Sequence, residues 1–595
     1  LGGQLGILAL ELPSIDELKR LDSVITPTFS PALRQELDQF GMTEIYEHEL
    51  DELLNKYDKY KGSETYLKQL SGLAFIAGRD ELGEKALKEA LELSNSSFLQ
   101  EEIGDLYFSR GDYVAAKKQF KDLLNYDQST PYPYFRLAQI ALLEREQYLA
   151  YEYIDKAIEH SPEDYEIRLL AGVFALARKE FEIAIRHFKV AIEEQPDDYK
   201  VNTYIAFPYW AIGLDSKAIR FIKRSLSLNP YNETAVRFYA HICSENKIPE
   251  ACINQLSKYL EHDQTNPKIW AALASAYYEV GKQTGQKSNF HKSYEALQYQ
   301  LKLQDESYVL NNIGLTLLAQ GSPASARKML NLALAKAIKE EDEKQVKTTG
   351  YNILCVFVEE AKYEEGLNFY GKMFGSLGFI TEETPSEIEE QILLIYAVLL
   401  EANEEYQMSV DAITSFLRNY KLSDNLQLDF LNRLIYLDST NQKVNGIEQY
   451  IDSAKGYLAK EKLFDRFKLR RVVNNLAFHA LEFDRLKEAD AYLNQLSAEM
   501  HNDPYATATL GLSYLKKGYL DRGRELYEEA ISLLPDVKTK DKFRQRMYFE
   551  LGKAYMHAGK SKKALKMLER VEKQSNGYKF LNLQARNYCK LIIHD

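Results

Sequence analysis

Three consecutive stretches decide the fold: PYPYFRLAQIALLEREQYLAYEYIDKAIEHSPED (131–164), YEIRLLAGVFALARKEFEIAIRHFKVAIEEQPDD (165–198) and YKVNTYIAFPYWAIGLDSKAIRFIKRSLSLNPYN (199–232). Laid one under another without a gap, they place Pro162, Pro196 and Pro230 in one column. Leu137-Ala138, Ala171-Gly172 and Ile205-Ala206 share a second column. Ala150, Ala184 and Ala218 share a third, and Ile154, Phe188 and Ile222 a fourth. A period of about 34 residues marks a supersecondary unit that cannot bury its apolar face alone and stacks on its neighbours. Small residues in two columns let two antiparallel helices approach closely, large apolar ones fill the space between units, and proline ends the second helix.

The composition agrees with a helical chain. Only 15 prolines and 29 glycines serve 595 residues, which disfavours a turn-rich β protein. A hydrophobic content of 45% with 27% charged residues suits a folded chain and excludes a mainly disordered one. The formal net charge of −13 is uneven: residues 538–595 carry 15 Lys and Arg against five Asp and Glu, so the preceding 537 residues carry −23. Four cysteines, Cys243, Cys252, Cys355 and Cys589, form no CxxC pair, which points to a reducing, cytoplasmic setting rather than a disulfide scaffold. The longest apolar runs, such as Ile392–Leu400, are about half of what a bilayer span needs. The chain begins at Leu1 rather than methionine, which leaves open a start, and a targeting signal, upstream.

The columns resemble the tetratricopeptide repeat, whose pattern is Trp-x2-Leu-Gly-x2-Tyr, then Ala-x3-Phe, then Pro. Trp270-x2-Leu273-Ala274-x2-Tyr277 carries the resemblance, as do Ile103-Gly104-x2-Tyr107 with Ala116 and Phe120, Leu510-Gly511-x2-Tyr514 with Pro535, and Leu551-Gly552-x2-Tyr555 with Ala564 and Leu568. Extending the register predicts about fourteen units between residues 64 and 578. The resemblance implies an all-α, right-handed superhelical solenoid of antiparallel helix pairs. The expected organisation is a well-patterned array at 64–346, degenerate helix pairs at 347–469, a basic array at 470–578 and a capping helix at 579–595. An insertion at Lys282–Phe290 is expected to lengthen the turn of the seventh unit. Residues 1–63 read as a helical cap or the remnant of an upstream domain, with helix starts at Pro13-Ser14 and Ser30-Pro31 and a stretch Leu5–Leu12 that also fits a strand.

No catalytic constellation emerges. Gly559-Lys560-Ser561 mimics the end of a phosphate loop, but Ala554 stands where that loop needs glycine, and the string falls in a turn between two repeat helices. There is no His-Glu-x-x-His, no Gly-x-Ser-x-Gly and no calcium loop, and the acidic run Glu340–Glu343 reads as a solvated helix end. Neither a catalytic residue, a cofactor nor a metal site is expected.

In the resemblance, the first helix of each unit lines a concave groove. Three zones follow from that mapping. Phe108, Tyr132, Phe135, Phe207 and Trp210 form an aromatic zone, with Pro208 expected to kink its helix; either these rings anchor a partner or they pack against neighbouring helices. Asn312, Asn352 and Asn475 recur at one position, in strings such as Asn311-Asn312-Ile313-Gly314 that are similar to kinesin light chain and bacterial peptide-sensing repeats. There an asparagine holds the backbone of a bound peptide; the competing reading is a hydrogen bond within the helix pair. Arg471, Lys516, Arg546, Lys553 and His557 form a basic zone suited to an acidic segment. The chaperone-binding carboxylate clamp does not carry over, since Ala271 and Ser275 occupy its paired positions.

The expected function is a non-enzymatic scaffold or adaptor that binds a peptide or protein segment, as monomer or homodimer. Two alternatives stand beside it: the sensing part of an effector whose catalytic domain lies upstream or on another chain, and nucleic-acid binding through the basic units. The second alternative calls for aromatic platforms between the cations, whereas the two zones are far apart in sequence.

Overall fold

The two helices of the 165–198 stretch form where the columns place them, at Tyr165–Ala177 and Phe181–Glu194. Asp164 caps the first by accepting a hydrogen bond from the Ile167 N–H, and Pro196 follows the second. The computed structural model describes residues 43–94, 96–375, 380, 382–440, 443–460, 464–496, 503–574 and 576–594. The helix starts expected at Pro13 and Ser30, and the stretch Leu5–Leu12, lie outside the described residues.

Among the described residues every regular element is a helix. The chain divides into two units, Leu1–Gly321 and Ser322–Asp595. The first holds seven helix pairs, from Glu64–Ile76 with Asp80–Ser94 to Pro267–Thr284 with Lys287–Leu303. The second holds six, from Glu343–Glu359 with Tyr363–Phe374 to Val537–His557 with Ser561–Glu572, and then the helix Lys579–His594. The helices of one further repeat, Ser307–Ala319 and Pro323–Lys339, fall on either side of the division.

Within the first unit the six leading helices that begin at Ser97, Pro131, Tyr165, Tyr199, Glu233 and Pro267 follow at one constant interval along the chain. Their packing explains the column of small residues. A Cβ on Gly172 would lie 2.4 Å from the Phe188 ring, and one on Gly104 2.7 Å from Phe120, so glycine there admits an aromatic ring from the second helix. Phe120 and Phe188 are fully buried. The turns between the two helices repeat as well: Gly111, Arg145, Lys179, Gly213 and Lys247 all adopt left-handed backbone, with φ from 58° to 76°. Gly559 lies in the same kind of turn at φ 67°, before the helix Ser561–Glu572, as the sequence predicts for a turn between repeat helices.

The insertion at Lys282–Phe290 behaves differently from the expectation. It lengthens the two helices rather than their turn: Pro267–Thr284 runs to 18 residues, closes on left-handed Gly285, and Lys287–Leu303 follows at once. Beyond it, leading helices start unevenly, at Ser307, Glu343, Glu387, Asp424 and Arg466. The final helix packs Leu581 and Ala585 against Phe549, Leu568 and Val571, covering the apolar face that the last pair would otherwise leave bare.

Candidate binding surface

Leading helices position the candidate residues, and depth decides what each can do. In the first unit Phe108, Phe135 and Phe207 are buried, so they do not stand on an exposed wall. Phe207 stacks on Phe238 of the next pair at 3.8 Å between ring centroids. Trp210 is half-buried, packs edge-on to Phe238 and His241, and donates its Nε1–H to Glu245 Oε2 at 2.6 Å. Phe207 and Trp210 thus pack against the neighbouring pair, while Tyr132 and Trp210 are only partly buried. Pro208 sits buried in the last turn of Tyr199–Ala211, which runs on to Ala211.

The sequence reading missed what those rings enclose. Arg136 lies with its guanidinium 5.2 Å from the centroids of both Phe108 and Tyr132 and 6.0 Å from that of Phe135. Its Nε is 2.8 Å from Asp105 Oδ1 and donates to the Tyr132 hydroxyl, and its Nη1 donates to Gln139 Oε1 at 3.0 Å. The Tyr132 hydroxyl donates to Asp105 in turn. Burial, reinforced by the Asp105 charge, pushes the Tyr132 phenol well above its usual range. On the same leading helix as Asp105, Glu101 and Glu102 are raised, first by burial and also by the Asp105 charge. Burial likewise raises Glu166, two pairs further on. The signal was an arginine and an aspartate on successive leading helices, in units otherwise read for their aromatics.

The three asparagines part company. Asn312, in the first unit, is half-buried; its backbone carbonyl accepts from Thr316, and its carboxamide makes no hydrogen bond among the described residues. Asn352 and Asn475 belong to the second unit. Asn352 is 0% exposed, so it lies inside the helix packing rather than on a groove surface. Asn475 donates from Nδ2 to Asn432 Oδ1 at 2.9 Å, a carboxamide pair between consecutive leading helices.

The basic zone is largely neutralised. Lys516 pairs with Asp484 at 2.8 Å, Lys553 with Glu550 at 3.2 Å, and Arg546 with Glu482 and with Glu550 at 3.0 Å. Glu550 is 3% exposed, and the neighbouring Arg546 and Lys553 charges more than offset the burial that would raise its carboxyl, holding it below the usual range. Arg471 and His557 are exposed. Acidic residues at 482, 484 and 550 thus stand among these cations.

Among the described residues, no group of three or more His, Cys, Asp or Glu side chains could hold a metal ion, and no helix is long and apolar enough to cross a membrane. All four cysteines are free thiols.

Tetratricopeptide repeat family models match residues 149–199, 508–536 and 545–576. No curated protein matches the chain in sequence. Among solved structures, a tetratricopeptide repeat protein from Parabacteroides merdae is 14% identical, with 43% of this chain and 99% of that one covered at a TM-score of 0.32. PilF of Pseudomonas aeruginosa is 17% identical, covering 36% of this chain and 94% of its own at 0.31. MamA from Desulfovibrio magneticus is 15% identical, covering 28% and 93% at 0.26. With helix pairs returning at a constant interval, glycines seating aromatic rings between them, and family models matching within both units, the chain carries tetratricopeptide repeats.

Proposed function

We propose that this chain is a non-enzymatic scaffold or adaptor that holds a peptide or protein segment along the leading helices of its first unit. Its repeat fold is in general a non-catalytic platform for protein contacts. The observation that carries the finer statement is Asn312: a half-buried carboxamide at the repeat position suited to gripping a peptide unit, with no hydrogen bond of its own among the described residues. Asn352 and Asn475 support the fold instead, the first by burial and the second through Asn432. A cytoplasmic setting belongs to the same proposal and suits four unpaired thiols.

The test captures partners on the full chain, maps the bound segment, and measures its affinity by fluorescence anisotropy. Asn312→Ala is expected to weaken binding by about tenfold, the equivalent of one good hydrogen bond, with helicity unchanged. Asn475→Ala is expected to leave the affinity alone and lower the stability of the second unit. Equal affinity for wild type and Asn312→Ala would remove Asn312 from the binding surface.

A further inference from the structure

Within the second unit, side chains far apart in sequence meet. The Tyr436 and Tyr578 hydroxyls lie 3.4 Å apart across 142 residues. Tyr436 belongs to the leading helix Asp424–Ser439, whereas Tyr578 stands just before the closing helix Lys579–His594. Three more contacts run between the early and the late pairs of this unit. Lys579 Nζ pairs with Glu404 Oε2 at 2.9 Å, Lys538 Nζ lies 5.9 Å from the Tyr363 ring centroid, and, two residues from Glu404, the Tyr406 phenol is raised by burial and then by the charge of Tyr578. The last pair is built for this reach. Its leading helix, Val537–His557, runs to 21 residues against 13 in the regular pairs, and the added length carries Lys538 and Lys542 forward. Lys542 lies 4.7 Å from the Tyr578 ring centroid.

The turn that presents Tyr578 is held firmly from behind. Gln545 is 0% exposed; its Oε1 accepts from the Tyr578 N–H at 2.6 Å, and its Nε2 donates to the Tyr578 carbonyl at 3.0 Å and to Asn582 Oδ1 at 2.8 Å. Asn576 donates to Asp541 at 2.8 Å. Gly577 leaves room for that grip, because a Cβ there would fall 2.4 Å from the Gln545 carboxamide and push it aside. One carboxamide gripping both the N–H and the C=O of one residue is the arrangement expected of a groove asparagine toward a bound peptide. Here the gripped backbone is the chain's own.

We propose that the second unit is self-latched: its turn 576–579 occupies the face that carries Glu404 and Tyr436 as an intramolecular ligand, and a partner segment must displace it to lie there. The individual contacts are modest. An ion pair as exposed as Lys579–Glu404 contributes little, and a hydroxyl pair at 3.4 Å is weak. A latch made of such contacts closes by local concentration and opens without unfolding the helices that carry it. The latch is independent of whether Asn312 holds a segment in the first unit.

The experiment uses the full chain. A brief photo-oxidation with ruthenium tris-bipyridyl and persulfate couples neighbouring tyrosine rings, and peptide mapping locates the dityrosines. Wild type should yield 436–578 or 406–578 links, and Tyr578→Phe neither, with the stacked pair Tyr370 and Tyr396, 4.0 Å apart, as internal control. Hydroxyl-radical footprinting then compares wild type with Tyr578→Ala/Lys579→Glu. Tyr406 and Tyr436 should react roughly threefold faster in the variant, while Tyr148, already 94% exposed, stays constant. Coupling of 370 to 396 without either Tyr578 link overturns the proposal, whatever the variant's fold. So do unchanged rates at Tyr406 and Tyr436 in a variant of wild-type helicity. Loss of the latch would leave the Asn312 affinity measurement untouched, so the two proposals fail separately.

Discussion

From Ser97 to Pro267 in the first unit one pair follows another at a constant pitch, and polar side chains reach across to a neighbouring pair, as Trp210 does to Glu245, Tyr165 to Asp198 and Arg136 to Asp105. In the second unit the pitch varies, the charges gather into a partly buried cluster around Glu550, and the end of the unit returns to Tyr436. Regular spacing makes each pair depend on its neighbours. Irregular spacing lets distant pairs meet, so the second unit adds long-range contacts to the nearest-neighbour ones that define a repeat array.

The largest test of that contrast is Phe188→Ala. Phe188 is fully buried against Gly172, and its removal is expected to cost about 3–5 kcal/mol. Urea unfolding followed by amide exchange in each unit should show the loss confined to the first. A common shift in both units would break the comparison. Next comes Arg546→Gln, which takes the guanidinium from Glu482 and leaves the buried Glu550 with Lys553 alone; about 3 kcal/mol is expected, read in the second unit. Arg136→Gln should cost the first unit about 2 kcal/mol, less because Asp105 keeps a quarter of its side chain in water.

The smallest effect is one of pH. Burial first, then the Arg168 and Arg186 charges, hold the His187 imidazole at about 4, against 6.5 for the free group. Between those values the unfolded chain binds the extra proton, so the first unit loses stability as pH falls from 6.5 to about 4, and the loss is complete below that. Allowing for the partial exposure of the ring, about 1–2 kcal/mol is expected. His187→Gln should flatten the dependence over this window, measured as urea midpoints for the first unit.

The repeat was legible because it is local. Three prolines in one column fix where helices end, and a glycine facing a phenylalanine fixes how closely they pack, so pair boundaries followed from the register. Depth was harder to read. Phe108, Phe135 and Phe207 occupy positions that point the right way, but whether a ring stops at the next helix or stands in a groove depends on the spacing between pairs, which no column records. Charge suffered in the same way: Lys516, Arg546 and Lys553 were counted, while the carboxylates opposite them lay elsewhere in the sequence. The meeting of Tyr436 with Tyr578 had only faint traces, in an overlong last leading helix and in Gly577.

The constant pitch of the first unit also bears on how such a chain can change in length. Because leading helices recur at one interval with the same turn and the same small-residue seat, excising 131–164 joins two faces that already match. The second unit has no such freedom. Its end must arrive opposite Tyr436, so adding or deleting one pair would carry Tyr578 past its seat. One half of the molecule is a ruler that tolerates cutting to size, while the other is a clasp whose links are counted.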